Sequence, residues 1–415
     1  MKSFGIGCDF SGAVGIAAKA AATLAVCSTA SVIHADATDL RGALDASKVD
    51  VNFRYRIENV DQDGLSEDAM ASTLRSRVSL QTGAVYGVSG LLEVDNVGVI
   101  GGELYNNTFN GKTSYPTVAD PAGTDINQVL LRYKSQNNNA QVDLGRQRIN
   151  ELNQRFLGSV GWRQNEQTLD GYRVQYKFPK NVSVDISHFY NVNRVFGPEG
   201  TKADEHGDFN NLVVQWAPQS TQQVSVFYHN YEFDNWAVRS SVTAGVDYLG
   251  SFINTKSQKL QVHLAYANQA EGDYSPADFS NAYSRLDVNW KINAFNAELG
   301  IETLGGDGKT AVQTPLATLH QFNGFADMFL NTPANGLQDK WLGAGYLLHG
   351  KCQLSAQYHD YHSDRASIHY GSELNLTATH TLSKQLQLLA KIARYSADDF
   401  AKDTNKLWLG VNYSL

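Results

Sequence analysis

Arg54, Arg56, Arg75 and Arg77 form two pairs of arginines spaced i, i+2 within one short stretch of chain. A guanidinium group carries paired N–H donors that match a carboxylate, phosphate or sulfate. On two neighbouring strands, alternate positions share a face. If position 54 pairs with 77, then 56 falls opposite 75 and all four charges form one cationic patch. Like charges facing across strands are destabilising, so the spacing points to binding an anion. Glu93 and Asp95 lie on the next expected strand and are the groups that could neutralise the patch.

No catalytic set accompanies it. Asp61-Gln62-Asp63-Gly64 begins like a calcium loop, but Ser72 stands where the closing Glu belongs. An outer loop that attracts divalent cations through its acidic residues is the reading this leaves. His359 and His362 are spaced for a helix face yet fall at a strand end, which argues against joint metal ligation. An esterase would need Ser and His on neighbouring strands. His188 instead faces the apolar series Leu212, Val214 and Trp216. Neither a catalytic nor a metal residue is therefore assigned.

Positioning such a patch requires strands. After residue 48 a two-residue rhythm replaces helical periodicity almost throughout. Val51, Phe53, Tyr55 and Ile57 alternate with Asn52, Arg54, Arg56 and Glu58; Tyr172, Val174, Tyr176 and Phe178 repeat the pattern. About eighteen such segments of roughly ten residues, the length of a tilted membrane strand, run to the end of the chain. The last has Leu407, Leu409, Val411, Tyr413 and Leu415 on one face, with Trp408 the exception on the other. Links alternate between short (83–84, 179–181, 291–293, 349–350) and long (98–125, 149–166, 194–208, 305–338). That sorting fits an all-β, antiparallel, up-and-down transmembrane barrel, with short periplasmic turns and longer outer loops. Tyr133, Phe178, Trp216 and Trp290, beside short turns, suit a periplasmic aromatic belt.

The domain reading follows. Residues 1–37 resemble a cleaved signal peptide ending at Ala35-Asp36-Ala37, 38–48 form a short periplasmic segment, and 49–415 form the barrel. Cleavage leaves Cys352 as the sole thiol, which suits an oxidising compartment. The expected location is the bacterial outer membrane. The partners implied are its lipid and lipopolysaccharide, the outer-membrane insertion machinery, and a transported solute. A net charge of -8 argues against nucleic acid.

With the apolar parity toward lipid, the polar parity lines a pore. Early strands then turn Arg54, Arg56, Arg75, Arg77, Arg132, Arg173 and Lys177 inward, with Glu58, Glu93 and Asp95 among them. Later strands turn inward Asp185, Asp247, Asp287, Glu298, Glu302 and Glu373, against Arg239 and Arg285. Walls of fixed charge are how pores select ions. Apolar residues in 149–166 (Phe156, Leu157, Trp162) and 305–338 (Leu316, Leu319, Phe322, Phe325, Phe329) are too many for free loops. Both stretches should fold into the mouth, with a short helix near Asp327, after Asn323-Gly324.

Residues 145–171 (GRQRINELNQRFLGSVGWRQNEQTLDG), 313–338 (QTPLATLHQFNGFADMFLNTPANGLQ) and the hairpin at 53–83 resemble the alginate-export family of outer-membrane barrels. The resemblance extends over essentially the whole mature chain. It implies an eighteen-stranded porin with an arginine-lined conduit. The family's basic hairpin falls on Arg54, Arg56, Arg75 and Arg77. Its loop motifs fall on Arg146, Arg148, Trp162 and Arg163. The acidic later strands and shorter outer loops depart from the family pattern. The leading expectation is passive passage of small hydrophilic, anionic solutes. A dedicated exporter of an acidic polysaccharide such as alginate is the second reading, and a non-conducting structural or adhesive barrel the third.

Overall fold

The computed structural model describes residues 39–415, so the signal segment expected at 1–37 lies outside the described residues. A single short helix, Leu40–Asp45, starts the described chain and is capped by the Asp39 carboxylate, which accepts from Gly42 N at 2.7 Å. Gly83 N donates to Ala43 O at 2.9 Å and seats the helix against the first short turn.

Eighteen strands then follow in chain order. They are β1 (Lys48–Gln62), β2 (Ala69–Gln81), β3 (Val88–Val99), β4 (Gly123–Lys134), β5 (Ala140–Gln147) and β6 (Thr168–Phe178). Next come β7 (Val182–Asn193), β8 (Asp204–Gln219), β9 (Gln222–Phe233), β10 (Ser241–Asn254), β11 (Gln258–Glu271) and β12 (Ser280–Ile292). The last six are β13 (Phe295–Leu304), β14 (Leu337–Leu348), β15 (Cys352–His362), β16 (His369–Thr381), β17 (Leu386–Ala397) and β18 (Thr404–Ser414). Each strand pairs antiparallel with its sequence neighbours, and β1 pairs with β18, so the sheet closes on itself. Closure satisfies the backbone groups that an edge would leave bare in lipid.

Alternation set the faces as the residue pattern required. Leu131, Leu299 and Leu342 point outward and are about three-fifths exposed. A continuous outer surface of that kind is stable only against hydrocarbon. Tyr133, Phe178, Trp216 and Trp290 are likewise exposed near the short turns. Trp408, which broke the last strand's pattern, is fully buried on the inner face.

Three expectations need correction. The β1–β2 register pairs Arg54 with Arg75 and Arg56 with Thr73, while Arg77 faces Asn52. The expected 54–77 pairing is displaced by two residues, which keeps every residue on its face but halves the arginine-to-arginine facings. The stretch after Asn323 is not helical: Asn323 and Asp327 both have positive φ, 55° and 61°. The only helical turn there is the 3-10 turn Leu319–Gln321, before the Asn-Gly pair. Finally, β8 starts at Asp204, so the preceding link is shorter than expected.

Candidate functional site

Three long links on one end of the barrel, 100–122, 148–167 and 305–336, turn inward and pack on one another. Leu157 and Leu316 form a parallel bridge, and Gly158 N donates to Leu316 O at 2.9 Å. Phe156 packs edge-on to Tyr283 of β12, and Phe329 lies against Tyr361 of β15. This is the apolar content that the sequence showed to be excessive for free loops. Gly324 comes so close to the wall that a Cβ there would stand 2.3 Å from the Tyr361 hydroxyl and 2.4 Å from Glu373. Its φ of 86° is a second reason for glycine.

The four arginines do face the lumen, but they do different work. Arg54 grips the inserted loop: Nη1 donates to Gly161 O at 2.8 Å, Nε to Gln164 Oε1 at 3.1 Å, and Nη2 to Arg163 O. Arg56 donates to Trp162 O at 2.6 Å and to the buried Asp120 carboxylate of the 100–122 loop. Arg77 holds Asp95 with two bonds of 2.6 and 2.5 Å and approaches Glu166 at 3.0 Å. Arg75 is the least engaged of the four and, like Arg54, has no carboxylate partner among the described residues. Its Nη2 donates to Asn52 Oδ1 at 2.8 Å, while Nε and Nη1 have no hydrogen-bond partner. Among the described residues no carboxylate lies within ion-pair distance of Arg75.

The other expected basic residues are mostly matched one to one. Arg132 pairs with Asp143 at 2.7 Å, Arg146 with Asp170 at 2.8 Å, and Arg173 with Asp185. Arg148 meets Glu166 at 2.5 Å and Glu93 at 2.6 Å. Burial works against charge on Glu166, yet Arg77 and Arg148 outweigh it and hold its carboxyl down at about 2. Lys177 is exposed at the periplasmic end of β6 and makes no ion pair among the described residues.

The acidic wall also carries its own cations. His263 bridges Asp247 at 2.6 Å and Asp287 at 3.0 Å. Glu302 receives Arg155 of the inserted loop at 3.1 Å and Arg285 at 3.4 Å. Glu298 is bonded only to amides, Gln357 and Asn289. Glu373 accepts from Ala326 N at 2.9 Å, and its second oxygen has no partner.

At the centre, Asp327 is the meeting point of loop and wall. It accepts from Arg163 and from Lys406 of β18, each at 3.3 Å, and from His320 Nδ1 at 2.8 Å. Burial opposes its ionisation, but His320, Lys406 and Arg163 hold the carboxyl far below the ordinary carboxylate range. Trp162 of the family motif stacks on His320 with ring centres 3.4 Å apart, and Arg163 lies 4.2 Å over the same indole. Trp408 closes the group edge-on at 6.1 Å, which accounts for its break in pattern.

Asp120, Arg155, His320, Asp339, Lys391 and Lys406 were not singled out from the sequence. For Lys391 and Lys406 a signal was present: each stands at an inward parity position of an otherwise clear strand. The other four bond to partners distant in sequence or, for His320 and Asp339, to partners revealed by loop path and register.

A closed eighteen-strand antiparallel barrel with an apolar outer surface, a polar lumen and an inserted loop plug defines a bacterial outer-membrane channel protein. The sequence model of the alginate export family matches residues 47–314, more than half of the chain, and the protein belongs to that family. It is thus a transport barrel and not an enzyme. No curated protein sequence matches the chain. Solved structures share the fold at low identity. OccK1 (OpdK) of Pseudomonas aeruginosa is 12% identical with a TM-score of 0.71, over 90% of this chain and 99% of that one. The same organism's OpdK, solved with vanillate, gives 13% and 0.70 over 90% and 99%. OccAB2 of Acinetobacter baumannii gives 13% and 0.72 over 90% and 98%.

Proposed function

We propose that the protein is a passive outer-membrane channel for small hydrophilic anions, with Arg75 as the attracting charge and Arg54 beside it. The observation that carries this reading is the uncompensated state of Arg75. It sits on the lumen face, directly opposite a second arginine, with two unused donors and no carboxylate in reach. Burying an unpaired cation costs stability, so the fold gains nothing from this side chain that a neutral one would not give. The two free donors are buried, so the guanidinium attracts a small oxyanion through its charge and pairs with it only when the packed loops shift. OpdK, of similar fold, was solved with vanillate, a small organic carboxylate. Reversal potentials in planar bilayers under a potassium chloride gradient test the reading. Wild type should favour anions, and Arg75→Gln should move the reversal potential toward cations, more at low salt where screening is weak. Equal potentials for the two proteins would end it.

The three packed loops favour a second reading, a non-conducting structural barrel. Such a barrel gives no unit conductance in the same bilayer, whereas a channel does. Export of an acidic polysaccharide would draw on the same arginines and is favoured by the family's description. A polymer exporter should be blocked by an oligosaccharide of its substrate, and a small-anion channel should be blocked only by small carboxylates.

A further inference from the structure

His362, at the end of β15, and His369, at the start of β16, lie on the barrel rim at the end that carries the long loops. Between them stands Asp360, which shares its face with the outward Leu354 and Tyr358. His362 Nε2 is 3.0 Å from one Asp360 oxygen, and His369 Nε2 is 2.9 Å from the other. The two imidazole rings are 4.7 Å apart. One ligand atom from each of the three residues can be chosen so that all lie within 4.8 Å of one another. The other ring nitrogen of His369, Nδ1, is 2.5 Å from Asp398 in the 398–403 link. All four side chains are more than a third exposed, from 35% for His362 to 59% for Asp398.

We propose that Asp360, His362 and His369 bind a divalent transition-metal ion of the zinc class on the outer rim, with Asp398 as a positioning residue. Ligands about 2.0 Å from a tetrahedral ion stand about 3.3 Å apart. The present separations therefore need only small side-chain rotations to admit one. Two imidazoles with one carboxylate select zinc, nickel or copper over magnesium and calcium, which prefer an all-oxygen shell. Asp398 accepts the Nδ1 proton and so leaves Nε2 of His369 as the free electron pair for the metal. That carboxylate–histidine–metal relay is what fixes ring orientation and raises ligand basicity.

A β-bulge between Tyr361 and His362 makes the set possible. It brings His369 opposite His362, whereas Tyr361 faces Gly371. Unbulged pairing would place residue 370 opposite position 362. Tyr370 instead turns inward and donates to Gly336 O at 3.0 Å. His359 takes no part, since it faces the lumen and bonds to Asp339 at 2.9 Å. A bound ion would cross-link β15 and β16 directly and reach the β17–β18 link through the Asp398–His369 hydrogen bond. The same rim anchors the plug, because Arg365 N donates to Asn335 O at 2.9 Å.

The test is isothermal titration of Zn2+ into the full, untagged protein in detergent after chelator treatment, with heat-modifiable migration as the check of folding. Wild type should bind Zn2+ saturably at one ion per chain, and Mg2+ at the same concentrations should give no signal. His362→Ala and His369→Ala should each weaken binding at least tenfold, and Asp398→Asn by about ten- to a hundredfold. His206→Ala, which removes a separate rim histidine 3.3 Å from Asp204, should leave it unchanged. Absence of saturable binding, or wild-type affinity in the folded His362→Ala/His369→Ala protein, would overturn the proposal.

Discussion

Lys391 Nζ of β17 lies 2.6 Å from His320 Nε2 in the plug, and with Lys391 charged this contact fixes the tautomer of the His320 ring. An ammonium can only donate, so Nε2 accepts and the ring proton sits on Nδ1. From there it is donated to Asp327 at 2.8 Å. His320 is therefore neutral between a cation and an anion. Burial drives its pKa well below the ordinary value, against the pull of Asp327.

A pH dependence follows from the sign of both shifts. A histidine whose pKa is depressed on folding gives its full stability above the unfolded value, about 6.5, and loses it as pH falls below. Asp327, also depressed, loses its contribution at still lower pH, below the ordinary carboxylate range. Both act in one direction, so acidification loosens the plug. Current fluctuations in single channels should increase from about pH 7 to about pH 5. His320→Phe keeps a ring against Trp162 but cannot titrate, and should abolish the response in that window. An unchanged response in this variant would assign the effect elsewhere.

The Arg155–Glu302 contact gives a second handle on the same loop pair. Both side chains are almost fully buried, and Arg155 also donates to Asn323 at 3.0 Å. Removing one member of a buried pair costs about 3–5 kcal/mol because the other charge is stranded. Here Arg285 remains near Glu302 at 3.4 Å, so the lower end is expected. Arg155→Met should make 305–336 sensitive to limited proteolysis while the barrel stays intact. Adding Glu302→Gln should restore part of the protection. A double variant as sensitive as the single one would show that the pair is not the anchor.

The barrel was legible in the sequence because a strand's period of two is local information. Val51 to Glu58 already declares which side is lipid and which is lumen. Register is less local. A shift of two residues preserves every face, so no pattern could choose between Arg77 and Arg75 as the partner of Arg54. The plug's existence was legible from apolar residues in long links, but its path was not. Positive φ at Asn323 and Asp327 turns the chain where a helix was expected. The ion pairs across the lumen were hidden for the same reason: Arg56 and Asp120 meet only once the 100–122 loop has folded inward.

Deleting 310–335 should raise conductance. The segment contributes Leu316, Phe322 and Phe329 to the lumen filling, while β13 and β14 remain paired through Leu304 and Leu337 without it. Wall closure therefore does not depend on the loop. Conductance equal to wild type would show that 310–335 does not constrict the pore.

Arg56 and Arg75 stand on neighbouring strands with like chemistry, and the structure gives them opposite expected phenotypes. Arg56 is bonded to Asp120, lies 3.7 Å from Glu58 and holds the Trp162 carbonyl. Arg56→Gln leaves the buried Glu58 and Asp120 to Arg163 alone, at 3.0 and 3.6 Å, and releases the Trp162 carbonyl that holds the loop. The expected result is noisier current and easier proteolysis of 148–167, with little change in reversal potential at fixed salt. Asp120→Asn added to Arg56→Gln removes the more weakly paired of the two charges and should recover part of the protection. Arg75→Gln strands nothing, since no carboxylate depends on it. Its loop should stay as protected as in wild type while selectivity moves toward cations. The contrast is what a uniform electrostatic patch cannot produce, because two equal charges on one wall would shift the reversal potential alike. Matching shifts in the two single variants, with the loop intact in both, would mean that the ion pairs around Arg56 do not neutralise it.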